Sequence, residues 1–369
     1  MMDDHSIRTV ATDTDQDSTF SRPISDSAPL NSDAGNYNDT PDDDRTDATS
    51  INSLDSGFWE VESSTHSVNS SIFDYERSHG RTYHAYHQGQ YLLPNDADEI
   101  ERIEIKYHAI RLALKDNLFF APLETPNNIL DVGTGTGTWC VDTADAYPTA
   151  IVKGIDLSPI QPSYVPPNCF FEIADADDDW TFSSNFDLIH TRIMNDFSLR
   201  SWPRFFQQAY EHLSPGGWVE CQEFDYHRRS DDNTIPKNSR LKHWEEEWTK
   251  GMNRIGLAGP CDPELVMSQM RDVGLVNVHT RLFKMPIGPW PKDPQLKQCG
   301  LFGLVNLLDG IHGLSVKIFT ELLGYSNTEL EILLMECRKE VTQKRVHSYY
   351  PVFVILGQKP VPGGPDDLS

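Results

Sequence analysis

One run of residues narrows the possible folds more than any other: Ile129-Leu130-Asp131-Val132-Gly133-Thr134-Gly135-Thr136-Gly137-Thr138-Trp139. An apolar strand enters a turn with glycine at every second position and leaves it as a helix. Glycines let the chain turn tightly and let a ligand approach the backbone. The helix that follows offers free N–H groups at its start. Short apolar runs alternate with helix-length segments on either side. Residues 129–132, 151–155, 169–173, 186–190 and 217–222 read as strands, and residues 138–146 and 203–213 as helices. Ser214-Pro215-Gly216-Gly217 reads as a stop signal between the last helix and strand. Further on, residues 239–256 and 263–273 read as helices and 276–284 as a sixth strand. Residues 298–323 read as one or two apolar helices, 327–344 as a charged helix, and 350–357 as a final strand. Alternation at this spacing predicts an α/β fold with a parallel, doubly wound sheet.

The turn also carries information about its ligand. Dinucleotide enzymes use G-x-G-x-x-G to place a pyrophosphate on the helix start. Here the third glycine comes one residue early, and Thr138 stands at the dinucleotide position. Asp131 precedes the turn and favours a ligand with a cationic amine, such as S-adenosylmethionine, over one with a pyrophosphate. A nicotinamide oxidoreductase would rest on the glycine turn alone, and the spacing disfavours it. Asp156 ends the second strand 19 residues after Gly137. One helix and one strand fit between them, so Asp156 is expected beside the turn, where a carboxylate can accept both ribose hydroxyls. Asp175 ends the third strand and can accept from an adenine amino group, with the Ala176 N–H donating to the ring. Asp177, Asp178 and Asp179 read as a solvated turn, and Trp180 as core.

These features together resemble the class I S-adenosylmethionine-dependent methyltransferases, and more narrowly the fungal LaeA-like methyltransferases, also called TAM-domain proteins. The residues that carry the likeness are ILDVGTGTGTW, GIDLSPIQPSYVPPN at 154–168, FEIADADDDW at 171–180, FDLIHTR at 186–192 and HLSPGGWVECQEF at 212–224. YLLPNDADEIER at 91–102, ELLGYSN at 321–327 and VHSYYPVFVILGQKP at 346–360 extend it, so it covers roughly residues 75–360. The resemblance implies a Rossmann-like seven-stranded sheet of order 3-2-1-4-5-7-6 with strand 7 antiparallel, an N-terminal helical lid, and helical cap insertions near 239–256 and 298–344. It also implies that Gly133, Gly135 and Gly137 hold the methionine part of the cofactor, Asp156 the ribose and Asp175 the adenine end. Many relatives carry an acid just before the tryptophan at Trp202. Here that residue is Ser201, which alters local contacts rather than the cofactor site.

Methyl transfer from a sulfonium is an in-line displacement, so positioning supplies much of the acceleration and no fixed catalytic residue is required. His190, at the end of the fourth strand, is the candidate general base; its competing role is to pack at the strand end. Arg192 is expected either to meet a substrate carboxylate or to form a salt bridge with Asp175 or Asp156. Glu220 and Glu223 flank the fifth strand, and alternation leaves either of them facing the acceptor or solvent. Tyr83, His84, Tyr86, His87 and Tyr91 precede a helix expected from Asn95 or Asp96 to about Asn117. They are candidates for an aromatic lid able to meet a sulfonium by cation–π attraction. The segments at 239–256 and 298–323 are expected to roof an apolar acceptor. The histidines and cysteines show no metal-ligand spacing, so no metal is expected.

Charge separates the rest of the chain from this domain. The protein carries 31 Lys and Arg against 56 Asp and Glu, a net charge of −25. That disfavours nucleic acid and anionic membranes as partners. Residues 1–70 hold 15 acids, 3 bases and 21 Ser and Thr, which predicts a disordered acidic tail and allows a protein partner there. Residues 71–126 form the expected lid segment, 127–360 the methyltransferase domain and 361–369 a flexible end. Six scattered cysteines and the absence of a basic, apolar leader suggest a reduced compartment, the cytoplasm, with the nucleus as an alternative. The expected activity is methyl transfer from S-adenosylmethionine to a small-molecule acceptor in fungal secondary metabolism. The alternative is a LaeA-like regulator acting on protein or through a partner.

Overall fold

A computed structural model of the chain describes residues 74–85, 92–195, 199–257 and 261–363. The chain divides into units at residues 1–63 and 64–369, and all described residues belong to the second. The expected acidic tail therefore lies outside the described residues.

After a small antiparallel hairpin, β1 (Glu76–Ser78) and β2 (Arg81–Tyr83), comes α1 (Ala97–Ala113). The alternating core follows: β3 (Asn128–Val132), α2 (Thr138–Ala146), β4 (Ile151–Asp156), β5 (Cys169–Ile173), β6 (Phe186–Arg192), α3 (Trp202–His212) and β7 (Leu213–Phe224). The C-terminal part adds α4 (Arg240–Arg254), α5 (Pro263–Asp272), β8 (Val276–Ile287), α6 (Pro294–Gly313), a π-helical turn (Ile318–Leu322), α7 (Asn327–Val341) and β9 (Ser348–Gln358). The seven-stranded sheet has the order β5-β4-β3-β6-β7-β9-β8. Its first five strands are parallel, and β9 runs antiparallel to both neighbours. This is the expected 3-2-1-4-5-7-6 order of the class I methyltransferase fold.

Side chains alternate between two cores, as a strand's period of two requires. Ile129, Val152, Leu188 and Val354 face one layer with Ile110, Trp139, Leu307 and Leu334. Leu130, Ile155, Ile189 and Ile355 face the other with Phe205, Phe206, Val266 and Met270. Six of the seven α-helices among the described residues start at a capping side chain; α2, which leaves the glycine turn, does not. Asp96, Ser201, Ser239, Asp262 and Asp293 accept first-turn amides, and Ser326 and Glu329 form a capping box. Such caps contribute about 1 kcal/mol each. Ser201 thus starts α3.

Two expectations are revised. The Ser214–Gly217 stretch does not separate helix from strand. β7 begins at Leu213 and absorbs the stretch as an irregularity, pairing Leu213 with Phe186 and Trp218 with Leu188. Gly216 permits this with φ of +82°. β6 runs two residues past His190, pairing Thr191 with Cys221 and Arg192 with Gln222. The apolar 298–323 stretch is helical as expected: α6 runs through to Gly313 and the π-helical turn follows, and Gly303 and Gly310 let α6 pack closely. A Cβ at Gly303 would sit 2.6 Å from the Pro286 carbonyl oxygen, and one at Gly310 would sit 2.3 Å from Arg102 Cδ.

Candidate functional site

The C-terminal ends of β3, β4, β5 and β6 and the overlying α1 enclose one cleft, with about 1210 Å³ of empty space counted to its open mouth. Such crevices outside the carboxyl ends of parallel strands are where open α/β sheets bind ligands. Two of the turn's glycines, Gly133 and Gly135, line the cleft, and both have positive φ, +74° and +59°. A Cβ at Gly133 would lie 2.2 Å from Met194 Sδ, so a side chain there would collide with the cleft wall. Gly137 serves differently. It begins α2 with φ of +80°, and its Cβ position is 2.4 Å from the Phe171 ring. It is absent from the cleft lining.

Asp156 stands beside the turn. Its Oδ2 accepts the Gly135 N–H at 2.8 Å and its Oδ1 accepts the Ser158 N–H at 2.9 Å. A carboxylate has about four acceptor sites, so two remain for a ligand. Burial pushes this carboxyl up to about 6, although the Ser158 and Gly135 amides pull it down. Asp175 and Ala176 line the next stretch of the cleft. Asp175 Oδ1 accepts the Asp177 N–H at 3.0 Å, and the Ala176 carbonyl accepts Trp180 Nε1–H at 3.2 Å. A glycine cradle beside two carboxylates, Asp156 with acceptor capacity to spare, fits a group bearing hydroxyls and an amine.

The floor under the turn is built from Asp131, His190 and Trp139. His190 is wholly buried. Its Nδ1 lies 2.7 Å from Asp131 Oδ1, and its ring stacks flat on Trp139, with centroids 3.8 Å apart. His190 Nε2 has no hydrogen-bond partner among the described residues. Asp131 lines the cleft as well, with its Oδ1 on the imidazole.

α1 forms the cover, and Ile103, Lys106, Tyr107 and Ile110 line the cleft from above. The helix is held at several points. Asp96 caps it and pairs with Arg81 at 2.5 Å. Arg102 joins Glu99 at 2.6 Å and Asn306 of α6 at 2.7 Å. Thr138 donates to Glu104 at 2.6 Å, and Tyr107 donates to Asp142. The 298–323 region therefore buttresses the cover through α6. Neither it nor α4 appears in the cleft lining, so neither roofs the cleft.

The other sequence candidates fall elsewhere. Tyr83 is buried outside the cleft, with the Lys317 ammonium 3.6 Å from its ring centroid. Tyr86, His87 and Tyr91 lie outside the described residues. Arg192 lines the cleft but forms neither expected salt bridge. Its Nε donates to Gln222 Oε1 at 2.9 Å, and its guanidinium sits 5.2 Å from the Tyr107 ring centroid. Glu220 and Glu223 are both buried rather than solvated. Glu220 Oε2 accepts the Phe120 and Ala121 amides at 2.7 and 2.8 Å. Glu223 accepts the Met194 and Asn195 amides at 3.2 and 3.1 Å, and burial pushes it up to about 7. Sequence reasoning missed Lys106, Met194 and Ser158 as lining residues. Lys106 was findable, because it shares a helical face with Ile103, Tyr107 and Ile110. Among the described residues no acid, histidine or cysteine cluster could hold a metal, and no helix is long and apolar enough to cross a membrane.

Comparison with known proteins adds an independent line. A family model described as a methyltransferase domain matches residues 105–279. Methyltransferase pytC of Aspergillus terreus is 39% identical over 310 residues, covering 83% of this chain and 95% of that protein. The probable methyltransferase tdiE of Emericella nidulans is 34% identical over 276 residues, 73% of this chain and 85% of that one. The secondary metabolism regulator LAE1 of Cochliobolus heterostrophus is 32% identical over 289 residues, 76% of this chain and 94% of that one.

Proposed function

This chain belongs to the methyltransferase family of these fungal relatives, and we propose that it transfers a methyl group from S-adenosylmethionine to a small-molecule acceptor in fungal secondary metabolism. The observation that carries the reading is the bare backbone at Gly133 and Gly135, facing one cleft with Asp156, Asp175 and Ala176. S-adenosylmethionine, when bound, supplies an electrophilic methyl group on a sulfonium.

The chain's own residues then have distinct tasks. Gly133 and Gly135 admit the methionine end, since no side chain stands between ligand and backbone. Asp156 accepts the ribose hydroxyls with its two spare acceptor sites. Asp175 and the Ala176 N–H meet the adenine end. Ile103, Tyr107 and Ile110 on α1 exclude water. Asp131 orients His190 through Nδ1, leaving Nε2 to receive a proton where an acceptor arrives protonated. Glu223 keeps the Met194–Asn195 stretch in place.

The test uses methyl-labelled S-adenosylmethionine, the purified full chain and an extract of the source organism, with products divided by size. The reading expects label in the small-molecule fraction, absent with Asp156→Asn. Label confined to the protein fraction would replace it with the regulator reading, which the likeness to LAE1 supports. His190→Gln is expected to retain S-adenosylhomocysteine binding while changing the pH profile of transfer.

A further inference from the structure

The segment between β4 and β5 reaches back to the glycine turn through one side chain. Gln161 Nε2 donates to the Gly135 carbonyl at 2.6 Å and to the Ser158 carbonyl at 2.9 Å. Asp156 accepts the N–H groups of the same two residues, Gly135 at 2.8 Å and Ser158 at 2.9 Å. A carboxylate and an amide thus hold both main-chain poles of Gly135 and of Ser158. A glutamine amide has two N–H donors, and both are used here. Gly135 and Ser158 line the cleft, and Gln161 does not.

The turn has little else to shape it. Gly133, Gly135 and Gly137 all have positive φ, and glycine loses more conformational freedom on ordering than any other residue. With no side chains at these positions, main-chain bonds must hold the turn. Gly133 and Thr134 donate to the Ile155 carbonyl, and Gly137 donates to the Thr134 carbonyl. At Gly135, midway along, both bonds are to side chains, Asp156 and Gln161.

We infer that Gln161 is a positioning residue for the cofactor: from outside the cleft lining it holds Gly135 in the conformation that receives the methionine end. The inference rests on the methyltransferase reading. Fixing a loop in its bound conformation before the ligand arrives raises affinity by removing an ordering cost. Asp156 serves the ribose as well as the turn, whereas Gln161 serves the main chain alone. The role needs a donor of two hydrogens, because both of its partners are carbonyl oxygens.

The experiment titrates the full chain by calorimetry with S-adenosylhomocysteine and with methylthioadenosine, which keeps the adenine, ribose and sulfur but lacks the amino-acid end. Gln161→Met removes both donors at similar volume. It is expected to bind S-adenosylhomocysteine roughly tenfold more weakly, for two lost hydrogen bonds, while methylthioadenosine affinity changes less than threefold. A general loosening of the fold would lower both alike. Gln161→Glu supplies a rescue. At pH 8 its ionised carboxylate faces two carbonyls and donates nothing, and at pH 5.5 a protonated carboxyl donates to one of them. Its S-adenosylhomocysteine affinity, relative to wild type at the same pH, is expected to be higher at pH 5.5 than at pH 8. Unchanged S-adenosylhomocysteine affinity in Gln161→Met, equal losses for the two ligands, or a Gln161→Glu deficit independent of pH would overturn the proposal. If Gln161→Met does not fold, the two pH values of Gln161→Glu decide. Failure of both variants to fold would make Gln161 a residue of stability alone and would also overturn it. Failure of the wild type to bind S-adenosylhomocysteine would instead count against the methyltransferase reading itself.

Discussion

Asp156 at the end of β4 and Glu223 near the end of β7 have nearly the same bonding. Each carboxylate accepts two main-chain amides, Gly135 and Ser158 in one case, Met194 and Asn195 in the other. Burial raises both, to about 6 and about 7. Their access differs. Asp156 lines the cleft with acceptor sites to spare, whereas Glu223 is 1% exposed and absent from the lining. The contrast extends to the regions around them. The β4 and β5 tips present polar groups to a cavity. β7 spends its acids on the protein: Glu220 on Phe120 and Ala121, and Glu223 on the loop beyond β6. The C-terminal helices continue the second pattern, with Arg228 buried between Glu245 and Glu340. A buried carboxylate in this fold therefore marks a ligand site only where a cavity reaches it.

The comparison can be broken by substitution. Glu340→Ala is expected to have the largest effect, because it leaves the buried Arg228 guanidinium with Glu245 alone and takes the acceptor from the Ser239 hydroxyl and the Arg240 amide. Removing one partner of a buried pair costs about 3–5 kcal/mol, to be read from urea unfolding. S-adenosylhomocysteine affinity of the folded protein should stay within twofold, since none of these residues lines the cleft. Glu223→Gln should cost less, about 1–3 kcal/mol for impaired hydrogen bonds to buried amides, seen as a lowered melting temperature. Its cofactor affinity should change less than threefold. A larger loss of binding in Glu223→Gln than in Asp156→Asn would invert the comparison.

The pH dependence sharpens it further. The Asp156 carboxyl is raised in the folded protein, so the folded state holds its proton to higher pH than the unfolded chain. Its contribution to stability is present below the ordinary carboxyl range and lost as pH rises through about 6. Ligand binding runs the other way, because the ribose hydroxyls need the charged form. S-adenosylhomocysteine affinity, measured by calorimetry, is expected to fall towards tenfold per pH unit below about 6. Asp156→Asn should flatten that slope.

The parallel half of the sheet was readable in the sequence because its signals are local. Apolar runs, the glycine turn and helix caps placed β3, α2, β4 and β5 within a residue of their observed ends. The strand order came from the family resemblance, and so did the expectation of a covering N-terminal helix. What could not be read depends on contacts between distant segments. Nothing near Gly137 announces that Phe171 occupies its Cβ position. Tyr83 pairs with Lys317, 234 positions away, so its distance from the cleft follows from the tertiary fold alone. Strand alternation could not decide the fate of Glu220 and Glu223, because both are satisfied by amides of other segments. The short β1–β2 hairpin gave little apolar signal, and its turn uses His79 at φ of +51° beside Gly80.

The most direct measurement is a calorimetric titration of S-adenosylhomocysteine into the wild type and into Asp156→Asn, with melting temperatures recorded for both. The account predicts one site per wild-type chain and an affinity at least tenfold lower in Asp156→Asn, the loss of one charged hydrogen-bonding partner, with a fall in melting temperature no larger than that of Glu223→Gln. Equal affinity in the two proteins, or no binding to the wild type, would contradict it.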